Sequence, residues 1–323
     1  MRTKIVYILS SDEQDIYLEQ TLLSAFSLRR HNPNVVVELI VDQRTDQTIV
    51  GGRKQILQYV NQKIVVNVPE KYNKKQTSRF LKTTIRQHVV GDFLYIDSDT
   101  VITDRLDGID SFDGPIGAVI NAHVPISQHY NKYGHKIREC AKRDGWKCSD
   151  DIKFFNSGVI YVKDTETTHQ FFSDWHVVWV ELLEKYGEFQ DQPSLASVNE
   201  NHHYLIRELS GIWNCQVVSC FLPFLHEAKI IHYFTIGKDY KTKMIYRFRD
   251  KSIYLTIREK GIIPDDLIIL VDNAKTAFVN PVRLCLGNEQ SLLAGEMAQF
   301  CLIHPRIEKI MNAFFRILKY LVK

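Results

Sequence analysis

The sequence predicts an α/β protein built on a mainly parallel sheet with helices packed on its faces. Two observations carry that reading. Short apolar runs of strand length alternate with stretches of helical spacing, in the order strand, helix, strand, helix, strand, and such alternation closes into a parallel sheet through helical crossovers. The chain has 323 residues, 45% of them hydrophobic and 24% charged. That is enough for one large domain with an appendage, and it excludes disordered, collagen-like and coiled-coil classes.

The elements follow in order. Ile5 to Leu9 is a compact apolar run bounded by Ser10, Ser11 and Asp12, a buried strand ending in a polar loop. YLEQTLLSAFSLRRHNP carries apolar residues at helical spacing and stops at His31-Asn32-Pro33. VVVELIVD (35–42) is a second buried strand, GRKQILQYV is helix-like, and KIVVNV is a third strand. A further helix near 78–89 leads into FLYIDSDTVI (93–102), where two aspartates interrupt an apolar strand. PIGAVIN (115–121) and NSGVIYV (156–162) read as strands, and the polar, aromatic segment between them reads as a surface excursion. WHVVWVELLEKYG (175–187) and the segment opening DQPSL are helices, the second with Pro in its first turn. LHEAKIIHYF (225–234) is a late strand. The predicted domains are 1–240 and an extension, 241–323, ending in a basic amphipathic helix at about 304–323.

A net charge of +3 provides no field for nucleic acid, so no nucleic-acid partner is expected. The six cysteines form no Cys-x-x-Cys pair and no zinc spacing, which suits a reducing compartment. The N-terminal apolar stretch is too short for a signal segment, and no apolar run approaches the roughly 18 residues a membrane span needs. A cytoplasmic protein is expected. Its C-terminal helix either lies peripherally on the inner face of the cytoplasmic membrane or packs on the domain.

Asp97 and Asp99 sit at the carboxyl end of a strand, where ligands bind in open α/β sheets. Two carboxylates placed there repel each other unless a cation lies between them, and a hard divalent ion such as Mn²⁺ or Mg²⁺ takes such ligands while bridging to phosphate oxygens. Turn capping by Asp97 is the open alternative. His232 reads either as a core histidine or as a third ligand, and Lys238, six residues on, could neutralise a phosphate.

Taken together, IVYILSSDEQDIYLEQTLLSAFSLRRHNP, FLYIDSDTVI, FFNSGVIYV, QDQPSL and IIHYFTIGK, in this order, resemble glycosyltransferase family 8, with the bacterial lipo-oligosaccharide and lipopolysaccharide galactosyl- and glucosyltransferases as nearest type. The resemblance covers roughly residues 1–240. It implies a GT-A fold and retaining transfer of a hexose from a UDP-sugar to a glycan or glycolipid acceptor in surface-glycan synthesis. It makes Asp97, Asp99 and His232 the metal ligands, lays Ser98 along the ribose and puts Lys238 on the leaving diphosphate. Asn156 matches a position contacting donor sugar or acceptor. Asp191 matches one that binds hexose hydroxyls, and Gln192 one near the reacting face of the anomeric carbon. As a helix cap, Asp191 has a second reading. Arg79 matches an Arg against the diphosphate and sugar, and Ser10 and Asp12 are the candidates for the uridine. Two departures stand out: Asn121 replaces an Asp of the galactosyltransferase type, and Thr235 replaces a Gly in the His-x-x-Gly-x-x-Lys pattern. The other readings are a non-catalytic nucleotide- or glycan-binding protein on the same fold and, less favoured, a sugar-phosphate nucleotidyltransferase, which would need the Gly-rich first loop that SSDEQD lacks.

Overall fold

The first strand, β1 (Lys4–Leu9), lies in parallel between β2 (Val37–Asp42) and β4 (Phe93–Ile96), and Ile5 through Leu9 are all buried. Burial on both faces is why Ile5–Leu9 and Phe93–Ile96 read as unbroken apolar runs rather than as alternating ones, while β2 carries buried Glu38, paired with Lys4 at 2.6 Å. The remaining strands are β3 (Gln62–Val66), β5 (Thr100–Ile102), β6 (Ile116–Ile120), β7 (Phe155–Val162), β8 (Ile206–Glu208), β9 (Cys215–Gln216) and β10 (Ile230–His232). Of these ten strands among the described residues, seven form one sheet in the order β3-β2-β1-β4-β7-β6-β8, and the other three form a small sheet, β5-β10-β9. The large sheet is mixed: β7 runs antiparallel to both β4 and β6, while β8 returns to parallel beside β6.

The computed structural model describes residues 1–128, 132–149, 152–217, 220–234, 247–278, 296, 300 and 304–321. Helices α1 (Tyr17–His31), α2 (Gln43–Thr48), α3 (Lys74–Thr83), α4 (Lys132–Asp144), α5 (Glu166–Tyr186), α6 (Asp191–Asn201), α7 (Leu222–Leu225) and α8 (Lys251–Lys260) follow the strands. One core cluster joins Leu22 and Leu28 of α1 to the small sheet through Val101, Ile230 and Ile231. The other packs Leu81, Phe172, Trp175, Trp179 and Leu195 of α3, α5 and α6 against Val6, Phe93 and Ile160. The GRKQILQYV segment forms a 3-10 helix, Gly51–Gln58, instead of an α-helix.

Two regions differ from the sequence expectation. The excursion is not merely surface: α4 covers a cluster of its own, in which Ile126, Ile137, Cys140, Ala141, Trp146 and Phe154 are buried. Its few apolar residues are spread too thinly along the sequence to show that period. The second difference is the boundary at 240. The chain divides into one unit of Met1–Phe278 and a second of Val279–Lys323. Phe248, Tyr254, Ile257, Leu267 and Phe278 belong to the same core as α1, and Arg258 of α8 pairs with buried Glu19 of α1 at 2.7 Å. Within the second unit, helix Pro305–Leu321 exposes Ile310, Phe314, Phe315 and Ile317. Among the described residues no helix is long and apolar enough to cross a membrane.

Candidate active site

The two aspartates mark the point where the chain changes sheets. β4 ends at Ile96, the Asp97 amide still donates to the Gly158 carbonyl of β7 (2.7 Å), and two residues later the Asp99 carbonyl accepts from the Tyr233 amide (3.1 Å) beside the small sheet. Asp97-Ser98-Asp99 is therefore the bridge between β4 and β5, with Thr100 Oγ1 tying it back onto the Asp97 carbonyl (2.9 Å). Because β5 pairs with β10 in antiparallel register, Thr100 faces His232. That register brings the buried imidazole to the carboxylates from far along the chain.

His232 Nε2 stands 3.2 Å from Asp99 Oδ1 and 4.0 Å from Asp97 Oδ2, and one ligand atom from each of the three residues lies within 4.8 Å of the others. A six-coordinate ion bound at about 2.1 Å separates its ligand atoms by roughly 3 Å when adjacent and 4.2 Å when opposite, so the spacing fits a small divalent cation. Two further features agree. His232 Nδ1 donates to Asn214 Oδ1 (3.1 Å), which leaves Nε2 for an ion. At Gly158 a Cβ would lie 2.4 Å from His232 Cε1 and 2.8 Å from Asp97 Oδ2. Glycine is what lets imidazole and carboxylate meet against β7. A glycine inside a strand marks such an approach, so FFNSGV held a signal that the sequence reading passed over.

Asp191 is buried at the first turn of α6, where Gln190 is the cap residue and makes no side-chain cap bond. Its carboxylate instead pairs with Arg79 Nε (3.0 Å) and Lys82 Nζ (3.3 Å) and accepts from Ser157 Oγ (2.7 Å). Burial alone would raise this acid, but Lys82 and Arg79 outweigh it and hold the group well below the usual carboxylate range. Lys82 Nζ also lies 3.1 Å from Asp97 Oδ1 and 4.9 Å from the Tyr95 ring centroid. Burial, reinforced by the Asp97 charge, pushes the Tyr95 hydroxyl far up, so it stays protonated and donates to Asp97. Lys82 joins the Asp97 and Asp191 sides of the cleft, and sequence reasoning missed it. The available signal was its position three residues after Arg79, on one face of α3.

Gln192 Nε2 donates to Asn121 Oδ1 (3.2 Å) and to the Phe155 carbonyl (3.0 Å), and Asn156 Nδ2 donates to the same Asn121 oxygen (3.1 Å). Asn121 is followed by Ala122 and His123, both in the left-handed region at φ 56° and 59°, a strained turn of the kind that clusters at functional sites. Burial depresses His123 to about 4, and its Nε2 accepts from the Gln216 amide (2.9 Å). The structure thus brings Asn121, Asn156, Asp191, Gln192 and Arg79 into one hydrogen-bonded and ion-paired region with the Asp97–Asp99–His232 cluster. Ser98 Oγ accepts from Thr21 Oγ1 (2.9 Å). Ser10 is buried at the end of β1, and Asp12 is held below its usual range chiefly by its hydrogen bond to Lys74. Thr235 and Lys238 lie outside the described residues.

No protein-family model matches the sequence, and no curated protein does. Solved structures do match. The glycosyltransferase GlyE of Streptococcus pneumoniae TIGR4 superposes with a TM-score of 0.50 at 18% identity, over 85% of this chain and 65% of that one. The fold is GT-A. Mouse xyloside xylosyltransferase 1 gives a TM-score of 0.49 at 14% identity, over 72% of this chain and 97% of its own. The galactosyltransferase LgtC, in complex with donor and acceptor sugar analogs, gives 0.47 at 15%, over 82% and 98%.

Proposed function

We propose that the protein is a retaining, metal-dependent hexosyltransferase that moves galactose or glucose from a UDP-sugar to a hydroxyl of a glycan or glycolipid acceptor in bacterial surface-glycan synthesis. The observation that carries this reading is the convergence of Asp97, Asp99 and His232 at the junction of the two sheets of a GT-A fold. Carboxylate oxygens suit Mg²⁺ and Mn²⁺ alike, and the imidazole tips the donor set towards Mn²⁺. The bound ion would supply charge stabilisation at the diphosphate oxygens of the donor and of the departing UDP.

The residues of the chain take the remaining roles. Lys238 neutralises the leaving diphosphate, and Arg79, paired with Asp191 on the face of α3 that meets the cleft, lies against diphosphate and sugar. Ser10 and Asp12 hold the uridine, and Ser98 follows the ribose. Asp191, kept anionic by Lys82 and Arg79, accepts from hexose hydroxyls; a carboxylate already engaged by two cations and Ser157 is a poor nucleophile. Gln192 sits near the anomeric carbon and is no stronger a nucleophile, which supports attack from the face that UDP leaves. The apolar face of helix Pro305–Leu321, with Arg306, Lys309 and Arg316 along its other side, suits an anionic membrane surface where a glycolipid acceptor would lie.

Incubation with a panel of UDP-sugars and Mn²⁺, followed for UDP release, tests the reading. Metal-dependent release from UDP-galactose or UDP-glucose is expected. Intact UDP binding with no release from any donor would instead identify a nucleotide-binding protein on the same fold.

A further inference from the structure

We propose that Asn214 is a positioning residue that fixes which nitrogen of His232 faces the metal, and that the Gly158 amide sets it through a chain of buried side-chain amides. The inference rests on the metal-dependent reading above and adds a residue that the sequence reading did not single out.

The logic runs along one hydrogen-bonded path. Side-chain amides can be turned either way, so their orientation must be deduced from a partner whose chemistry is fixed. The Gly158 backbone amide is such a partner, because it can only donate. It points at Asn156 Oδ1 (2.9 Å), so the oxygen of Asn156 must face β7 and its nitrogen must face Asn121. Asn156 Oδ1 is also 2.9 Å from Asn214 Nδ2, so the Asn214 amide must present its nitrogen there and its oxygen to His232. Asn214 Oδ1 can only accept, and it lies 3.1 Å from His232 Nδ1. Nδ1 therefore carries a proton, and Nε2 is the nitrogen turned towards Asp97 and Asp99.

Burial gives the chain its force. Asn214 is 0% exposed, His232 2% and Asn156 5%. At such depth an amide flipped the wrong way would leave donor against donor with no water to relieve it. At its far end the path reaches Asn121 Oδ1, which also accepts from Gln192, so the metal pocket and the sugar side share one directional network. Gly158 acts twice: its amide starts the chain, and its missing Cβ leaves room for the ring that the chain orients.

The test has a readout on the wild-type protein that needs neither activity nor a variant. Long-range ¹H–¹⁵N NMR of the metal-free protein should show His232 protonated on Nδ1; a dominant Nε2–H form overturns the inference. Asn214→Leu should weaken Mn²⁺ binding in the presence of UDP by roughly 10- to 100-fold. Asn214→Asp, which keeps an acceptor for His232 but loses the donation to Asn156, should recover most of that affinity. A purely structural role predicts that both variants suffer alike, because both break the bond to Asn156, and that pattern would count against the proposal. So would a folded Asn214→Leu protein with wild-type Mn²⁺ affinity. Failure of the wild-type protein to bind Mn²⁺ with or without UDP would instead sink the metal-dependent reading, and the tautomer measurement would still decide the role of Asn214.

Discussion

The two ends of the cleft are built on opposite principles. At one end, Asp191 is almost fully buried and already satisfied by Arg79, Lys82 and Ser157. At the other end, Asp97 and Asp99 keep about a quarter of their side-chain surface exposed, and His232 Nε2 lies 4.0 Å and 3.2 Å from them. Lys82 links the two ends, 3.1 Å from Asp97 and 3.3 Å from Asp191, while Arg79 lies 3.0 Å from Asp191. The contrast is one of burial: Asp191 is neutralised by side chains inside the core, whereas Asp97 and Asp99 keep carboxylate surface open.

Removing either exposed carboxylate should break the comparison most visibly. Asp97→Ala and Asp99→Ala should each lower Mn²⁺-dependent UDP release by about a thousandfold or more, with thermal stability near wild type, as checked by coupled assay and melting. Gly158→Ala should act in the same direction on Mn²⁺ affinity, measured calorimetrically, because its Cβ would occupy the space of the His232 ring. The Asp191 end should respond through the fold instead. Lys82→Met leaves buried Asp191 short of a partner and should cost about 3 kcal/mol in urea denaturation at neutral pH. A cost below about 1 kcal/mol would mean that Arg79 alone compensates Asp191.

A smaller effect concerns His123. Burial lowers it from 6.5 to about 4, so between those values the unfolded chain binds more protons than the folded one. Stability should be complete above about pH 6.5 and fall as pH drops towards 4, by about 2 kcal/mol once its partial exposure is discounted. His123→Gln should flatten that slope, and equal slopes in both proteins would remove His123 as its source. Smallest in its effect on chemistry is truncation after residue 300: UDP release from the donor in the presence of a soluble acceptor should be unchanged, while sedimentation with anionic vesicles should be lost. Unchanged sedimentation would rule out the helix as a membrane contact.

Much of this was legible because it is local. Ile5–Leu9 and Phe93–Ile96 announce buried strands by being unbroken apolar runs, Val37–Val41 departs from that only at Glu38, and the helical period of α1 is plain between its polar ends. Asp97 and Asp99 stood out because charge interrupts a core strand. The partners that define their roles were not legible, because strand register and side-chain direction decide them. Nothing around IWNCQ shows that Asn214 will face an imidazole, and the i, i+3 spacing of Arg79 and Lys82 in SRFLKT puts them on one helix face without showing that Lys82 will lie buried between two carboxylates.

By itself the sequence determined the alternation of elements, the β4 strand that ends in two aspartates and the order of motifs that points to a GT-A fold, since each depends on residues near one another in the chain. Only the tertiary structure decided that the chain changes sheets at Asp97–Asp99, that β10 pairs with β5 so that His232 meets them, and that 247–278 belongs to the first unit. Those outcomes depend on which distant surfaces bury each other, a quantity that no local pattern carries.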